Sequence, residues 1–269
     1  MQTLTDSAAL TRQRARARDT FLRDRVAADL HERLQEVNRT FTAPVIVTPT
    51  PAVWSGLIDA PTVPDAEVLA LEEGAHDLLI HDLSLHWAND PVGQLVQSRR
   101  ALRPDGLFLG TLFGGQTLHE LRSCLAQAEA RVTGGLSPRI APMGEIRDLG
   151  GLLHRAGFAL PVADSDTIRV TYPGAFALMH DLRAMGETNA LAARLRRPTR
   201  RAVFEAAAAL YADHFAGPDG RITATFEVVT LTGWAPADSQ PRPLRPGSAA
   251  ARLADALGTA ETPLSSRGD

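Results

Sequence analysis

The sequence predicts an α/β fold around a mostly parallel sheet. The segments 77–81 and 107–113 are apolar strands, and the first contains consecutive apolar residues, as do strands covered on both faces. Between them, apolar residues of 92–102 recur on one side of a helix, and the Arg-Pro-Asp-Gly sequence at 103–106 predicts its end. Strand, helix and strand at this spacing indicate a right-handed crossover, and such folds bind ligands at the carboxyl ends of their strands.

The other elements are predicted from the same periodicities. Leu22, Val26, Leu30 and Leu34 recur every four residues, which predicts an amphipathic helix over 19–38 that covers the sheet. We place a strand at 43–47, helices at 117–130, 145–156, 175–185 and 200–214, an edge strand that starts at 158–162 and resumes at 167–170, and a last, antiparallel strand at 223–234.

The length of 269 residues suffices for one α/β domain with insertions. We expect a helical cap over 1–40 and a main domain over 41–238, with a helical insertion at about 173–216. The segment 239–269 is rich in proline and arginine, and we expect a loosely held tail there.

Composition excludes several functions. All 28 basic residues are arginines, so no lysine is available for Schiff-base chemistry or a lysine-cradled phosphate loop. The net charge of -3 argues against a nucleic-acid partner. Arg12, Arg14, Arg16 and Arg18 alternate near the start; a transit peptide and a nucleic-acid arm are alternatives, but Asp19 follows at once and favours a solvated helix face. The single cysteine and the lack of a long apolar run predict a cytosolic protein without a membrane span.

Several short motifs at fixed spacing carry a family resemblance. They are Leu-Ser-Leu-His-Trp at 83–87, Asn-Asp at 89–90, Leu-Arg-Pro-Asp-Gly at 102–106, and Gly-Gly at 114–115 followed by Thr-Leu at 117–118 and Glu-Leu-Arg at 120–122. Together they resemble one branch of the class I methyltransferase-like proteins. That branch contains the mitochondrial complex I assembly factor described as an arginine hydroxylase, with its bacterial relatives. The malonyl-carrier methyltransferase of biotin synthesis is a more distant cousin.

The resemblance implies a Rossmann-like methyltransferase sheet, and either S-adenosylmethionine-dependent methyl transfer or arginine modification on a complex I subunit. Relatives hold this cofactor through a glycine-rich turn after the first strand, because bare backbone must pass close to its carboxypropyl and ribose groups. Here the segment 48–56 has glycine only at its last position, and its two prolines lack backbone donors. We therefore expect a trimmed first crossover, shorter by roughly a helix and a strand, without the usual cofactor cradle.

The next family motif is present. The sequence Asp-Ala-Glu-Val-Leu at 65–69 matches an element that lies beside the adenine in relatives, where a carboxylate can accept a hydrogen bond from an exocyclic amine. Asp65 and Ala66, with His81 and Asp82 at the end of the central strand, form the predicted cofactor site. An acidic loop that merely opens the strand is an equally good interpretation. The cofactor prediction is S-adenosylmethionine, held by half of its usual site.

His86, Trp87 and Asn89 follow the central strand and are the predicted catalytic residues. His86 could act as a general base, Trp87 could stack on a planar or cationic acceptor, and Asn89 could orient it. The structural alternatives are that Trp87 packs under a lid and that Asn89 and Asp90 cap the helix that begins at Pro91. For Asn89 and Asp90 the capping role is favoured.

A metal site is not predicted. His76, His81, Asp82 and Glu67 are candidate ligands, but their spacing matches no known site, and neighbouring strand residues such as His81 and Asp82 point to opposite faces. Two hypotheses therefore stand. The first is an enzyme that binds S-adenosylmethionine through an altered loop, with Glu187 and Asn189 of the lid near the acceptor. The second is a non-catalytic assembly factor that binds an iron–sulfur subunit of respiratory complex I.

Overall fold

The structure, a computed structural model, describes residues 3–241 together with Ala254, Gly258 and Thr259. The chain divides into two compact units, Met1–Ala237 and Asp238–Asp269. The predicted tail over 239–269 lies for the most part outside the described residues. Within the described part of the chain, no helix is both long and apolar enough to cross a membrane.

A six-stranded sheet forms the centre of the first unit. Its strands are β1 (Pro44–Val47), β2 (Thr62–Val63), β3 (His76–His81), β4 (Leu102–Phe113), β5 (Ala159–Tyr172) and β6 (Ile222–Trp234), in the spatial order β2-β1-β3-β4-β6-β5. Strands β2, β1, β3 and β4 pair in parallel, whereas β6 runs antiparallel to both of its neighbours, β4 and β5. This arrangement confirms the predicted fold class, including the antiparallel last strand.

Helices cover both faces of this sheet. They are α1 (Ser7–Arg14), α2 (Phe21–Glu36), α3 (Pro91–Ala101), α4 (His119–Thr133), α5 (Ile146–Ala156), α6 (Ala175–Ala184) and α7 (Arg201–Phe215). The residues of β1 alternate between two apolar cores: Ile46 packs with α2, α4, α6 and α7, while Val45 and Val47 pack with α3 and α5. Two covered faces explain why the central strands are apolar at consecutive positions.

The connection between β1 and β2 is shortened, as the sequence predicted. It contains only a 3-10 helix, Pro51–Trp54, and the strand after it is reduced to the two residues of β2. Trp54 is 2% exposed and packs with α2 and the apolar core. The missing crossover helix is thus replaced by one helical turn whose tryptophan fills the space beneath α2.

Two predicted boundaries were wrong. The Arg-Pro-Asp-Gly sequence at 103–106 does not separate α3 from the next strand, because β4 begins directly at Leu102, which pairs with His76. A register shift between His76 and Leu78 accommodates the extra residues. Likewise, β5 does not break at 163–166, since this stretch pairs with β6 throughout. In both places, pairing with a neighbouring strand overrides the local turn signal.

Candidate functional site

Two cavities meet near Trp87, at the carboxyl ends of the parallel strands. A polar cavity of about 860 Å³ lies between α1, the segment after β2 and the loop after β3. An apolar cavity of about 280 Å³ lies under α6 and α7. Trp87 lines both cavities. Ligands of α/β folds bind at this edge of the sheet, so the pair of cavities is the candidate site.

The polar cavity collects most of the residues that the sequence singled out. Asp65, Ala66, His81, Trp87 and Asn89 all line it. No residue of the described segment 48–63 does so. The shortened connection therefore does not plug the cavity.

Asp65 does not face the cavity as a free carboxylate. Nη1 of Arg14, at the end of α1, donates a hydrogen bond of 2.7 Å to its Oδ2 atom, and both side chains are only 14% exposed. The neighbouring Arg12, Arg16 and Arg18 are exposed. The expected solvent exposure is therefore confirmed for Arg12, Arg16 and Arg18 and wrong for Arg14, but the expected helix face is not found, because α1 ends at Arg14. No sequence signal distinguished Arg14 from the others.

His81 is held by a chain of hydrogen bonds that reaches the other side of the cavity. Its Nε2 atom lies 3.2 Å from Oε1 of Gln94, and its Nδ1 atom lies 3.3 Å from Oγ of Ser84. The amide nitrogen of Gln94 in turn donates to the carbonyl oxygen of Ala66. Gln94 thus connects His81, at the end of β3, to Ala66, in the segment after β2. Sequence reasoning missed it, although its position in the first turns of α3 faces the sheet.

Asp82 lies outside the cavity. It is fully buried, and its Oδ2 atom accepts a hydrogen bond of 2.7 Å from Oγ1 of Thr48. Nη1 of Arg23, on α2, lies 3.6 Å from the same oxygen. As predicted for adjacent strand residues, His81 and Asp82 serve different sides of the sheet. Asp82 connects the ends of β1 and β3 rather than facing a ligand.

The turn after β1 offers few backbone donors to a ligand. The N–H of Thr48 donates to Val63, that of Thr50 to the side chain of Thr48, and that of Val53 to Thr50. Pro49 and Pro51 have no N–H to donate. Thr48 is 1% exposed, so this end of β1 is closed. The cradle that a glycine-rich turn would supply is absent from this segment.

Glu187, from the loop after α6, joins the predicted catalytic residues. Its Oε2 atom accepts a hydrogen bond of 2.6 Å from Nε1 of Trp87 and lies 3.6 Å from Nε2 of His86. Its Oε1 atom accepts a hydrogen bond of 2.9 Å from Nη2 of Arg23. Leu83, at the start of the loop, adopts a φ of 34°, which is strained for a residue with a side chain. The hydrogen bond from Trp87 to Glu187 fastens the loop to the lid, and the ion pair with Arg23 ties Glu187 to α2.

Burial determines the charge states of this cluster. Desolvation lowers the pKa of His86 below its ordinary value, although Glu187 opposes this effect. Desolvation also lowers the pKa of His81. For Glu187, burial alone would raise the pKa, but the His86 ring 3.6 Å away and the charge of Arg23 outweigh it, and the pKa lies below its ordinary value. We therefore assign an ionised Glu187 beside neutral histidines.

Asn89 and Asp90 both hold neighbouring backbone, but only Asp90 has the helix-capping role that the sequence favoured for the two residues. The side-chain oxygen of Asn89 accepts hydrogen bonds from the backbone N–H groups of Leu4 and Thr5, which ties the start of the chain to the loop. Asp90 is the N-cap of α3 and accepts a hydrogen bond from Gly93, with Pro91 in the first turn.

The apolar cavity is lined mostly by apolar side chains. Phe113, Leu121, Met179 and Phe226 are among the side chains that line it. Asn189, which was expected near an acceptor, also lines it. Within residues 3–241, His, Cys, Asp and Glu side chains form no group of three that could hold a metal ion.

Comparison with known proteins identifies the family. No family model matches the chain. The mouse protein named arginine-hydroxylase NDUFAF5, mitochondrial, is 46% identical over 194 residues, which cover 71% of this chain and 56% of that protein. The malonyl-[acyl-carrier protein] O-methyltransferase of Xylella fastidiosa is 38% identical over 172 residues, which cover 64% of this chain and 56% of that protein.

Among solved structures, Haemonchus contortus phosphoethanolamine N-methyltransferase 2 aligns with a TM-score of 0.40 at 10% identity, over 78% of this chain and 53% of that chain. The chain spans little more than half the length of the two curated relatives described above. The similarity to these two curated relatives agrees with the family indicated by the motifs around Trp87. The chain belongs to the class I methyltransferase-like family, in the branch that contains the arginine-hydroxylase NDUFAF5.

Proposed function

We propose that this methyltransferase-like chain binds an adenosine-containing ligand in the polar cavity, beside Asp65. The observation that carries the proposal is the polar cavity itself, whose volume of about 860 Å³ lies within the range of small-molecule sites. Its wall includes Asp65, Ala66 and His81. Oδ2 of Asp65 is engaged by Arg14, while Oδ1 accepts no hydrogen bond from the described residues and is available to an exocyclic amine.

S-adenosylmethionine fits this site only in part. For the adenosine portion, the cavity offers the carboxylate of Asp65 and a wall that Gln94 holds in position. The amino-acid portion has no cradle, because the N–H groups of the turn after β1 donate hydrogen bonds to other protein atoms. Thr48 is also buried against Asp82. When bound to proteins that hold it completely, this cofactor supplies a methyl group. The donor set here supports adenosine binding and does not support a transfer step.

Isothermal titration of the full chain with S-adenosylhomocysteine and with adenosine tests this proposal. Because the amino-acid portion lacks donors, we expect the two ligands to bind with affinities within about threefold of each other, a difference of roughly 0.6 kcal/mol. We expect Asp65→Asn to weaken both. Asp59→Asn is the matched control, since Asp59 is exposed and does not line the cavity. Absence of binding by both ligands would remove the proposal.

A second candidate is a non-catalytic assembly factor for a respiratory complex. It is favoured by the engagement of the predicted catalytic side chains in the fold: Trp87 donates to Glu187, and Asn89 holds Leu4 and Thr5. The name of the NDUFAF5 relatives supports arginine-bearing proteins as partners. On the basis of the family resemblance, we propose an iron–sulfur subunit of complex I as the partner.

Co-purification of a tagged chain with complex I subunits from its native cell tests the second candidate. If the role is non-catalytic, the partner should be retained in Asp65→Ala and His86→Ala variants that remain folded. Loss of the partner in the Asp65→Ala variant alone would instead favour a ligand-dependent role. The cytosolic location expected from the single cysteine stays a prediction, and fractionation of the same cells tests it.

A further inference from the structure

A basic groove adjoins the apolar cavity. The groove has a volume of about 630 Å³ and lies between the turn that follows α1 and the outer side of α6. Arg183 and Thr188 line both the groove and the apolar cavity. A ligand that extends past these two residues would therefore contact both surfaces.

The groove carries several uncompensated cationic side chains. Arg16, Arg18 and Arg183 line it and are exposed, and none of them has an ion-pair or hydrogen-bond partner among the described side chains. His180 lies one turn before Arg183 on α6 and also lines the groove. Arginines without carboxylate partners attract anionic groups such as carboxylates and phosphates.

The apolar cavity beyond Arg183 has no comparable free charge. Arg139 lines it, but its guanidinium donates two hydrogen bonds, of 2.7 and 2.9 Å, to Glu129. Glu187 lines it as well and is paired with Arg23. Flexible methionines, Met143 and Met179, form part of the wall and can adapt to an apolar chain.

We propose that the groove and the apolar cavity together bind a medium-length alkyl or acyl chain that carries an anionic head group. The chain occupies the apolar cavity beside Trp87, and the head group contacts Arg183 and the arginines of the groove. The proposal deepens the proposed function by naming the ligand class on the acceptor side. Binding of the anionic chain does not depend on the proposed function, and only its role as the acceptor rests on that function. A cationic ligand is disfavoured here because the nearest unpaired side chains are themselves cationic.

Titration with a series of carboxylates tests the proposal on the full chain, with no adenosine ligand present. The probes are butanoate, octanoate and decanoate below their micelle concentrations, with decyltrimethylammonium as the cationic counterpart. We expect affinity to rise by about fourfold per added methylene, as for burial in an apolar cavity. We expect decyltrimethylammonium to bind at least about tenfold more weakly than decanoate.

Two substitutions separate the groove from the cavity. Arg183→Glu should weaken decanoate binding by about tenfold or more, whereas Arg155→Glu, an exposed arginine on α5 outside the groove, should leave it unchanged. Met179→Trp should fill the cavity and abolish the dependence on chain length. Met143→Trp serves the same purpose if the first variant does not fold, as judged by circular dichroism.

Three results would overturn the proposal. They are the absence of saturable decanoate binding, equal binding of the cationic probe, and decanoate binding that Arg183→Glu does not change. Phosphatidylglycerol vesicles form a separate arm: co-sedimentation that decanoate does not compete with would assign the groove to a membrane surface instead. A negative decanoate result with normal adenosine binding would reject this inference alone, and the reverse pattern would reject only the proposed function.

Discussion

The indole N–H of Trp87 donates a hydrogen bond of 2.6 Å to Oε2 of Glu187, a residue 100 positions later in the chain. This contact joins the loop after β3 to the loop after α6, on the boundary between the polar and apolar cavities. Arg23 holds the other carboxylate oxygen of Glu187. A buried ion pair between Glu187 and Arg23 therefore holds the boundary of the candidate site in place.

Replacing Glu187 by alanine should destabilise the fold. The change leaves Arg23, whose side chain is 7% exposed, with only the 3.6 Å contact to Asp82. Breaking a buried pair typically costs about 3–5 kcal/mol, because one charge stays buried without compensation. Urea denaturation should show a loss in this range. Glu205→Ala is the control, since it breaks an exposed pair with Arg201 and should change stability by less than about 0.5 kcal/mol.

Arg14→Ala should strengthen adenosine binding. Arg14 engages the Oδ2 atom of Asp65, so its removal makes both carboxylate oxygens available to the exocyclic amine. We expect the affinity for adenosine to rise about threefold, which is a small effect for one additional hydrogen-bond acceptor. Calorimetry on Arg14→Ala and on Arg12→Ala, an exposed residue of the same helix, makes the comparison. Weaker binding in the first variant alone would mean that Arg14 itself contacts the ligand.

Trp54→Ala should cost about 3–5 kcal/mol of unfolding free energy, because it opens a large cavity in the core beneath α2. Trp54→Phe should recover most of this loss, since it preserves the apolar contact. Neither change should alter adenosine affinity in the folded fraction, as Trp54 does not line the polar cavity. Altered affinity would contradict the assignment of Trp54 to the core.

Stability should fall on acidification from pH 7.5 to pH 5.5. Burial holds the pKa of His81 below its ordinary value of 6.5, so the unfolded chain binds the proton more readily. The free energy of unfolding is therefore unaffected by His81 above pH 6.5 and decreases as the pH falls below this value, because the unfolded chain then takes up the proton first. His81→Gln should reduce the slope of unfolding free energy against pH, whereas His154→Gln, at an exposed position, should preserve it. An unchanged slope in His81→Gln would refute the assignment.

A second acid-dependent loss should occur at lower pH. Hydrogen bonds from Arg139 lower the pKa of Glu129 from 4.5 to about 2. The resulting stabilisation is present above pH 4.5 and disappears as the pH falls toward 2. Glu129→Gln should therefore be less stable than the parent chain at pH 6, with the difference shrinking between pH 4.5 and pH 2. A difference that stays constant over this interval would show that Glu129 is not ionised in the folded state.

The sequence by itself determined the order and type of the main elements. Periodicity alone located α2 and the apolar strands β3 and β4, because a strand covered on both faces and a helix covered on one leave distinct patterns. The two prolines and the missing glycines after β1 predicted the lost cradle, since both are properties of the local backbone. The motif around Trp87 indicated the family.

Only the tertiary structure decided which side chains meet. Arg14 resembled its solvated neighbours in the sequence, yet it alone pairs with Asp65, and Gln94 carried no signal that it would bridge His81 and Ala66. Asp82 was predicted in the cofactor site together with His81, but its side chain is directed to Thr48. These contacts join residues far apart in the chain, and their partners are set by how helices and loops pack over the sheet edge. Local propensities carry no information about such packing.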